Sequence, residues 1–288
     1  MKIFDDIAEL QLALAKHSHE RIALVPTMGC LHQGHASLMQ KAKRLADIVV
    51  VSIYVNPLQF GANEDLSRYP KPFEADVAVC EAEGVDYIFH PHNLYPEHGL
   101  QVSLKVGELS QVLCGSSRPG HFDGVVTVVN ILLNIVRPHI AVFGTKDFQQ
   151  LTIIRRLVSD LYLPVEIIEC ETIRESSGLA KSSRNQYLSD VERGQAAAIS
   201  QALLLMQQAA LNGSDLEAIL SVGNNHLFNH NIKPEYLEVR NTITLQPIQN
   251  LAETHQAQIF IAAPVGSARL IDNMPLLPNK AEEESLCN

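Results

Sequence analysis

Short apolar runs alternate with segments of helical period through the first two thirds of the chain. Arg21–Pro26 (RIALVP) predicts a strand, and His35–Ala46 a helix with Leu38, Ala42 and Leu45 on one face. Asp47–Val55 is a nearly unbroken β-branched run, as expected of a parallel strand buried on both sides. Helices follow over Phe73–Glu83, Gly124–Val136 and Asp147–Asp160, and strands over Asp86–His90, Ile140–Phe143 and Val165–Glu169. The first twenty residues read as an amphipathic helix. Strand followed by helix, repeated, requires right-handed crossovers and predicts an α/β fold, a Rossmann-like doubly wound parallel sheet. The pattern then changes. Helices over Ser189–Leu211 and Ser214–Phe228, broken at Asn212-Gly213, precede three short strands near Tyr236–Arg240, Gln258–Ala262 and Ala268–Ile271. This predicts a smaller C-terminal α+β domain, dividing the chain into 1–173 and 174–288. The tail NKAEEESLCN is charged, has no packing pattern and is expected to fray.

Composition narrows the class. Hydrophobic residues make up 46% and charged residues 19%, which excludes general disorder. The formal net charge of −10 argues against a nucleic-acid partner held by bulk charge, so any phosphate must be recognised locally. Five widely spaced cysteines form no CxxC pair. No apolar run is long enough to span a bilayer, and the N-terminus lacks the marks of a signal peptide, so a cytoplasmic protein is expected.

The segment PTMGCLHQGH is the most informative. A strand ends at Pro26, Gly29 permits a tight turn, and His32-Gln33-Gly34-His35 opens a helix. Free N–H groups and the positive end of a helix at the carboxyl edge of a parallel strand favour phosphate. Two imidazoles three residues apart add donors for charge developing on a polyphosphate. A metal pair and a purely structural helix start remain alternatives. Gly144-Thr145-Lys146-Asp147 also joins a strand to a helix, with Lys146 as a mobile phosphate-reaching charge. Asp147 is placed either as helix N-cap or as a ligand contact, and Gln150 lies one turn on. Lys181-Ser182-Ser183-Arg184 offers hydroxyls flanked by cations, as a solvated turn or a triphosphate clamp. Asn56 and Gln59 follow the most buried strand, where an amide suits a carboxylate and a hydroxyl. Met28, Phe60 and Val129 read as an apolar wall or as plain core. Ser117–Phe122 (SRPGHF) reads as a loop carrying a cation.

Taken in order, PTMGxLHxGH, VVVSIYVNPLQF, EDLSRYP, SRPGHFDGV, FGTKDFQQL, GLAKSSRNQYL and ARLIDNM resemble the pantoate–β-alanine ligase family, within the nucleotidyltransferases of HIGH-type signature. The resemblance covers almost the whole chain. It implies ATP-dependent condensation of pantoate with β-alanine through pantoyl adenylate, releasing AMP and pyrophosphate, with Mg²⁺ accompanying ATP and held mostly by phosphate oxygens and water. It implies a homodimer whose C-terminal domain closes over the first. By resemblance His32, His35, Lys146 and Arg184 are catalytic. Met28, Gly144, Asp147, Ser182 and Ser183 complete the ATP site, and Gln59, Gln150, Asn56 and Met28 hold pantoate. No residue is assigned to the metal. The chain departs from the family at Pro72 (usually Thr), Cys114 (usually Glu), Ile131 (usually Lys) and Lys181 (usually Met or Leu). Two other readings stay open: the same fold with a different acceptor, and a nucleotide-binding protein without catalysis. A phosphate-bearing acceptor would favour Arg or Lys where Gln59 and Gln150 stand.

Overall fold

The computed structural model describes residues 1–62, 64–248 and 256–277, in two compact units, Met1–Ile173 and Arg174–Asn288. The charged tail lies outside the described residues.

The first unit is built on six parallel strands: β1 (Lys2–Phe4), β2 (Ile22–Thr27), β3 (Ile48–Ile53), β4 (Tyr87–Phe89), β5 (Ile140–Gly144) and β6 (Glu166–Cys170). Their order is β1-β4-β3-β2-β5-β6. The β-branched run predicted from sequence is β3, buried at every position. Residues alternate across the sheet. Ala23, Val25, Val49, Val51, Ile53 and Val142 therefore share one face and one core with Leu38, Met39 and Ala42 of α2 (Gln33–Leu45). The helices α1 (Ile7–Leu14), α3 (Phe73–Ala82), α4 (Cys114–Ser117), α5 (His121–Val136) and α6 (Phe148–Asp160) complete the unit.

Two expectations need correction. The N-terminus is not one helix: Lys2–Phe4 pairs with Tyr87–Phe89 as an edge strand, and Asp6 then caps α1 by accepting from the Glu9 N–H at 3.0 Å. Three residues are too few for a period to show. The SRPGHF segment is not a loop throughout: its serine ends α4, and α5 starts at His121, three residues ahead of the predicted start.

Strand order matters most at β2. Chain order runs outward through β3 and β4 on one side, then reverses to β5 and β6 on the other. Crevices at such reversals, beyond the carboxyl ends of the strands, are where doubly wound sheets bind ligands. The ladder between β2 and β5 covers only Ala23–Leu24 and Ile140–Ala141, whereas β2 and β3 pair from Ile22 through Thr27. The two strands that flank the reversal therefore share no ladder at their carboxyl ends.

The second unit packs α7 (Asp190–Leu211) and α8 (Leu216–Asn229) with an antiparallel sheet in the order β7-β8-β9 (Tyr236–Asn241, Ala257–Val265, Ala268–Pro275). Ile199, Leu203 and Met206 of α7 share a core with Ile219 of α8 and Ile259 and Ile261 of β8. A Cβ at Gly223 would lie 2.4 Å from the Met206 sulfur, so the two helices approach through that glycine. A buried Asp272 carboxylate receives both terminal nitrogens of Arg174, at 2.6 and 3.0 Å.

Candidate active site

The loop after β2 carries the first group of predicted residues. His32 is the N-cap of α2: its Nδ1 accepts from the Gly34 N–H at 3.1 Å, and His35 Nδ1 accepts from the His32 N–H at 3.2 Å. The pair thus forms a capping box built from imidazoles, with ring centroids 4.2 Å apart. With both Nδ1 atoms accepting, each neutral ring carries its proton on Nε2. Gly34 is required by the first ring, because a Cβ there would fall 2.8 Å from His32 Cε1.

Several backbone donors expected to be free in this loop are already taken. The Gly34 N–H is taken by His32, and the N–H groups of Cys30 and Leu31 bind the Asp76 carboxylate at 2.9 and 2.7 Å.

Across the reversal, Gly144 ends β5, and Thr145–Asp147 forms a single 3-10 turn before α6. Lys146 is mostly buried, with Nζ 3.6 Å from Asp147 Oδ2. Asp147 occupies the N-cap position of α6 but makes no capping bond with its side chain. Gln150 is half-buried in the first turn of α6. Its neighbour Gln149, which the sequence reading passed over, turns inward. Gln149 accepts from the Cys114 N–H at 3.0 Å and donates to the carbonyls of Leu109 and Val112 at 2.9 and 2.8 Å. At Pro72, another departure from the family pattern, α3 starts without a side-chain cap.

The amide of Gln59 is fixed on both sides. Its Oε1 accepts from Asn56 Nδ2 at 2.9 Å, and its Nε2 lies 3.0 Å from the Met28 sulfur. Asn56 in turn donates to the Gly124 carbonyl at 3.1 Å and accepts from the Tyr95 hydroxyl at 2.5 Å. Phe60 stacks edge-on against Tyr69, and Val129 is buried in α5. Met28, Asn56 and Gln59 are therefore brought together at the ends of β2 and β3.

Beneath them lies a support absent from the sequence reading. Glu64 grips the Arg118 guanidinium with two oxygens, at 2.7 and 2.5 Å. Arg118 Nη1 donates to His121 Nε2 at 3.0 Å, and His121 Nδ1–H donates to the Gln59 carbonyl at 2.8 Å. The only signals for this support were the EDLSRYP and SRPGHF runs, which gave no hint that they meet.

Ser182, Ser183 and Arg184 belong to the second unit. Ser182 caps a 3-10 helix over Ser183–Tyr187 by accepting from the Arg184 N–H at 3.3 Å. Asn185 anchors this turn to Glu175 and the Ala180 carbonyl at 2.9 and 3.0 Å, and Arg193 binds Glu175 through both oxygens, at 2.8 and 3.0 Å. Burial acts to raise the Glu175 pKa, but hydrogen bonds from Asn185 and Arg193, then the Arg193 and Lys181 charges, together hold it below its ordinary value.

Electrostatics ties the first unit's groups together. Burial is the main cause that pulls His35 down to about 3, followed by the neighbouring His32 and by the Lys146 ammonium, with Asp147 opposing. Burial and Arg118 bring His121 to about 4, and Asp147 again opposes. His35 and Lys146 thus act on one another from opposite sides of the strand reversal. Both histidines are neutral in the fold but ordinary in the unfolded chain, which takes up their protons first as pH falls below about 6.5. Stability present above that pH is lost progressively on acidification, toward about 4 for His121 and about 3 for His35. Unfolding free energies from urea titrations are expected to fall between pH 7 and pH 5 by up to about 1.4 kcal/mol per pH unit for each histidine, with a matching fall in the midpoint. A midpoint unchanged over that range would contradict the assigned burial.

Known proteins match this arrangement along the whole chain. The family model described as Pantoate-beta-alanine ligase matches residues 2–275. The pantothenate synthetase of Exiguobacterium sibiricum is 48% identical over 276 residues, covering 95% of this chain and 98% of its own. That of Shewanella loihica is 48% identical over 275 residues, covering 93% and 96%. The crystal structure of pantothenate synthetase from Thermus thermophilus superposes with a TM-score of 0.92 at 41% identity, over 96% of this chain and all of that one. The pantoate-beta-alanine ligase of Francisella tularensis, complexed with Beta-gamma ATP and Beta-alanine, gives a TM-score of 0.80 at 35% identity, covering 96% and 98%. Sequence and fold agree: this chain belongs to the pantoate–β-alanine ligase family.

Proposed function

We propose that the chain condenses pantoate with β-alanine at the expense of ATP, through a pantoyl-adenylate intermediate. The pantoate carboxylate attacks the α-phosphorus of ATP, and the bond to pyrophosphate breaks. The β-alanine amine then attacks the acyl carbon, AMP leaves, and the amine's surplus proton passes to solvent. Neither step requires a covalent bond to the protein, so the residues act by positioning and by neutralising charge.

The observation that carries this reading is the placement of the His32–His35 capping box after β2 and of Lys146 after the neighbouring β5, at the reversal of strand order, with the fixed Gln59 amide following β3. In this assignment His32 and His35 donate from Nε2 to the triphosphate. Lys146 neutralises charge at the reacting phosphate, while the Gly144 backbone and Asp147 hold the nucleotide, Asp147 at the ribose. Gln59, Gln150 and Asn56 orient pantoate, with Met28 packed against it. Ser182, Ser183 and Arg184 take the β- and γ-phosphates as the C-terminal domain closes as a lid. Neutral amides at Gln59 and Gln150 favour a carboxylate-and-hydroxyl acceptor over a phosphorylated one.

Mg²⁺ would accompany ATP. Among the described residues no three His, Cys, Asp or Glu side chains gather as a metal site. In this reading phosphate oxygens and water would hold most of the ion's coordination, and the ion would neutralise the triphosphate. A cytoplasmic homodimer is the remaining part of the reading. Among the described residues, no helix is long and apolar enough to cross a membrane.

The deciding experiment follows AMP release from ATP, pantoate and β-alanine, omitting each in turn, alongside ATP–pyrophosphate exchange. Exchange is expected to need pantoate but not β-alanine. Exchange without pantoate would refute the acceptor, and equilibrium sedimentation tests the dimer.

A further inference from the structure

We propose that Asp76 is the positioning residue of the histidine pair: its carboxylate fills an anion nest in the loop after β2 and so fixes where His32 and His35 stand. The proposal rests on the roles given above to those histidines, and Asp76 has no part in that assignment.

The nest is defined by the backbone. Gly29 and Cys30 follow one another with φ of +80° and +52°, both left-handed. A turn can aim successive N–H groups at one point, a concavity suited to an anion. Here the Cys30 and Leu31 N–H groups bind separate oxygens of Asp76, at 2.9 and 2.7 Å. Asp76 is 2% exposed and projects from α3, 45 residues away along the chain. Left-handed backbone at a cysteine costs about 1 kcal/mol or more, so this turn needs a partner that holds it. One residue beyond Leu31 lies His32, whose ring caps α2 and whose N–H binds His35. The carboxylate, the nest, the cap and the second imidazole form one continuous series of contacts.

Space around the carboxylate supports the same reading. A Cβ on Gly29 would lie 2.8 Å from Asp76 Oδ2 and 3.2 Å from the Ile53 side chain. The glycine therefore serves both the turn and the approach of the acid. An internal carboxylate in a phosphate-shaped nest also keeps the triphosphate from binding there, leaving it to the imidazoles and Lys146.

Asp76→Asn keeps the size of the side chain but sets an NH₂ against one of the two N–H donors. Gly29→Ala pushes on the same carboxylate from the opposite side. Each variant is expected to lower kcat for pantoate-dependent ATP–pyrophosphate exchange by about 10²-fold, the cost of ångström-scale misplacement, with the KM for pantoate within about twofold. Each is also expected to let His35 take up a proton by pH 5.5, followed by its imidazole carbon and proton shifts in the ligand-free protein. That signal does not depend on the reaction, so it tests the positioning claim even if the acceptor is misassigned. Leu14→Ala, in α1, is expected to lower the melting temperature without changing either readout. If Asp76→Asn does not fold, Gly29→Ala alone decides. A neutral His35 together with exchange within twofold of the parent would overturn the proposal.

Discussion

Lys146→Ala is expected to reduce pantoate-dependent ATP–pyrophosphate exchange by about 10²-fold or more, the usual loss when one preorganised donor to developing charge is removed. Stability is expected to fall by no more than about 1 kcal/mol. The lysine sits on a single 3-10 turn, and its ion pair with the half-exposed Asp147 is long, at 3.6 Å. Such pairs contribute little to folding. His35 should remain neutral at pH 7 in this variant, because burial, ahead of either His32 or Lys146, lowers its pKa. Exchange kinetics with a urea titration separate the two effects. Near-parent exchange in Lys146→Ala would remove Lys146 from the chemistry, and near-parent exchange in His35→Ala as well would remove the role assignment as a whole.

Gly124→Ala should damage the fold and the acceptor site together. A Cβ at this position in α5 would lie 2.3 Å from the Leu58 carbonyl oxygen and 2.7 Å from the Gln59 nitrogen. Both are backbone atoms that no rotamer change can move. Either α5 or the 57–59 turn must shift, and overpacking of this kind costs about 1–3 kcal/mol. The Gly124 carbonyl also receives Asn56 Nδ2 at 3.1 Å, and Asn56 holds the Gln59 amide, so the shift propagates to that amide. The KM for pantoate is expected to rise about tenfold, one misplaced hydrogen-bonding group. Gly194→Ala, in α7, meets nothing within 4 Å and serves as the control. Equal effects of the two substitutions would show that the close approach at Gly124 has no bearing on the site.

Much of this site was legible one residue at a time. The strand-to-helix turns at Pro26–His35 and Phe143–Lys146 stood out because an apolar run stops where a glycine and a cation or imidazole begin. Both turns hold the predicted residues. The supporting partners were not legible, because each acts at long sequence distance. Asp76 reaches Leu31 across 45 residues, Glu64 reaches Arg118 across 54, and His121 reaches the Gln59 carbonyl across 62. None is marked by periodicity or by local spacing. Gln149 and Gln150 show the same limit in miniature. Two identical neighbours point to different surroundings, and only the packing of α6 decides which of them holds the 109–114 segment. Asp147, open in the sequence between N-cap and ligand contact, takes the N-cap position of α6 without a side-chain capping bond, its carboxylate 3.6 Å from Lys146.

By itself, the order of residues determined the α/β class, the buried central strand, the two switches from strand to helix and the family. Those features are local: alternation, period and turn chemistry act over a few residues, and they are read directly from the chain. Tertiary structure decided that the β2 and β5 turns are neighbours, that the Asp76 carboxylate occupies two backbone donors of the loop after β2, and that His35 and His121 are held neutral. Strand order and desolvation produce those outcomes, and both are properties of the packed sheet that no stretch of ten residues carries.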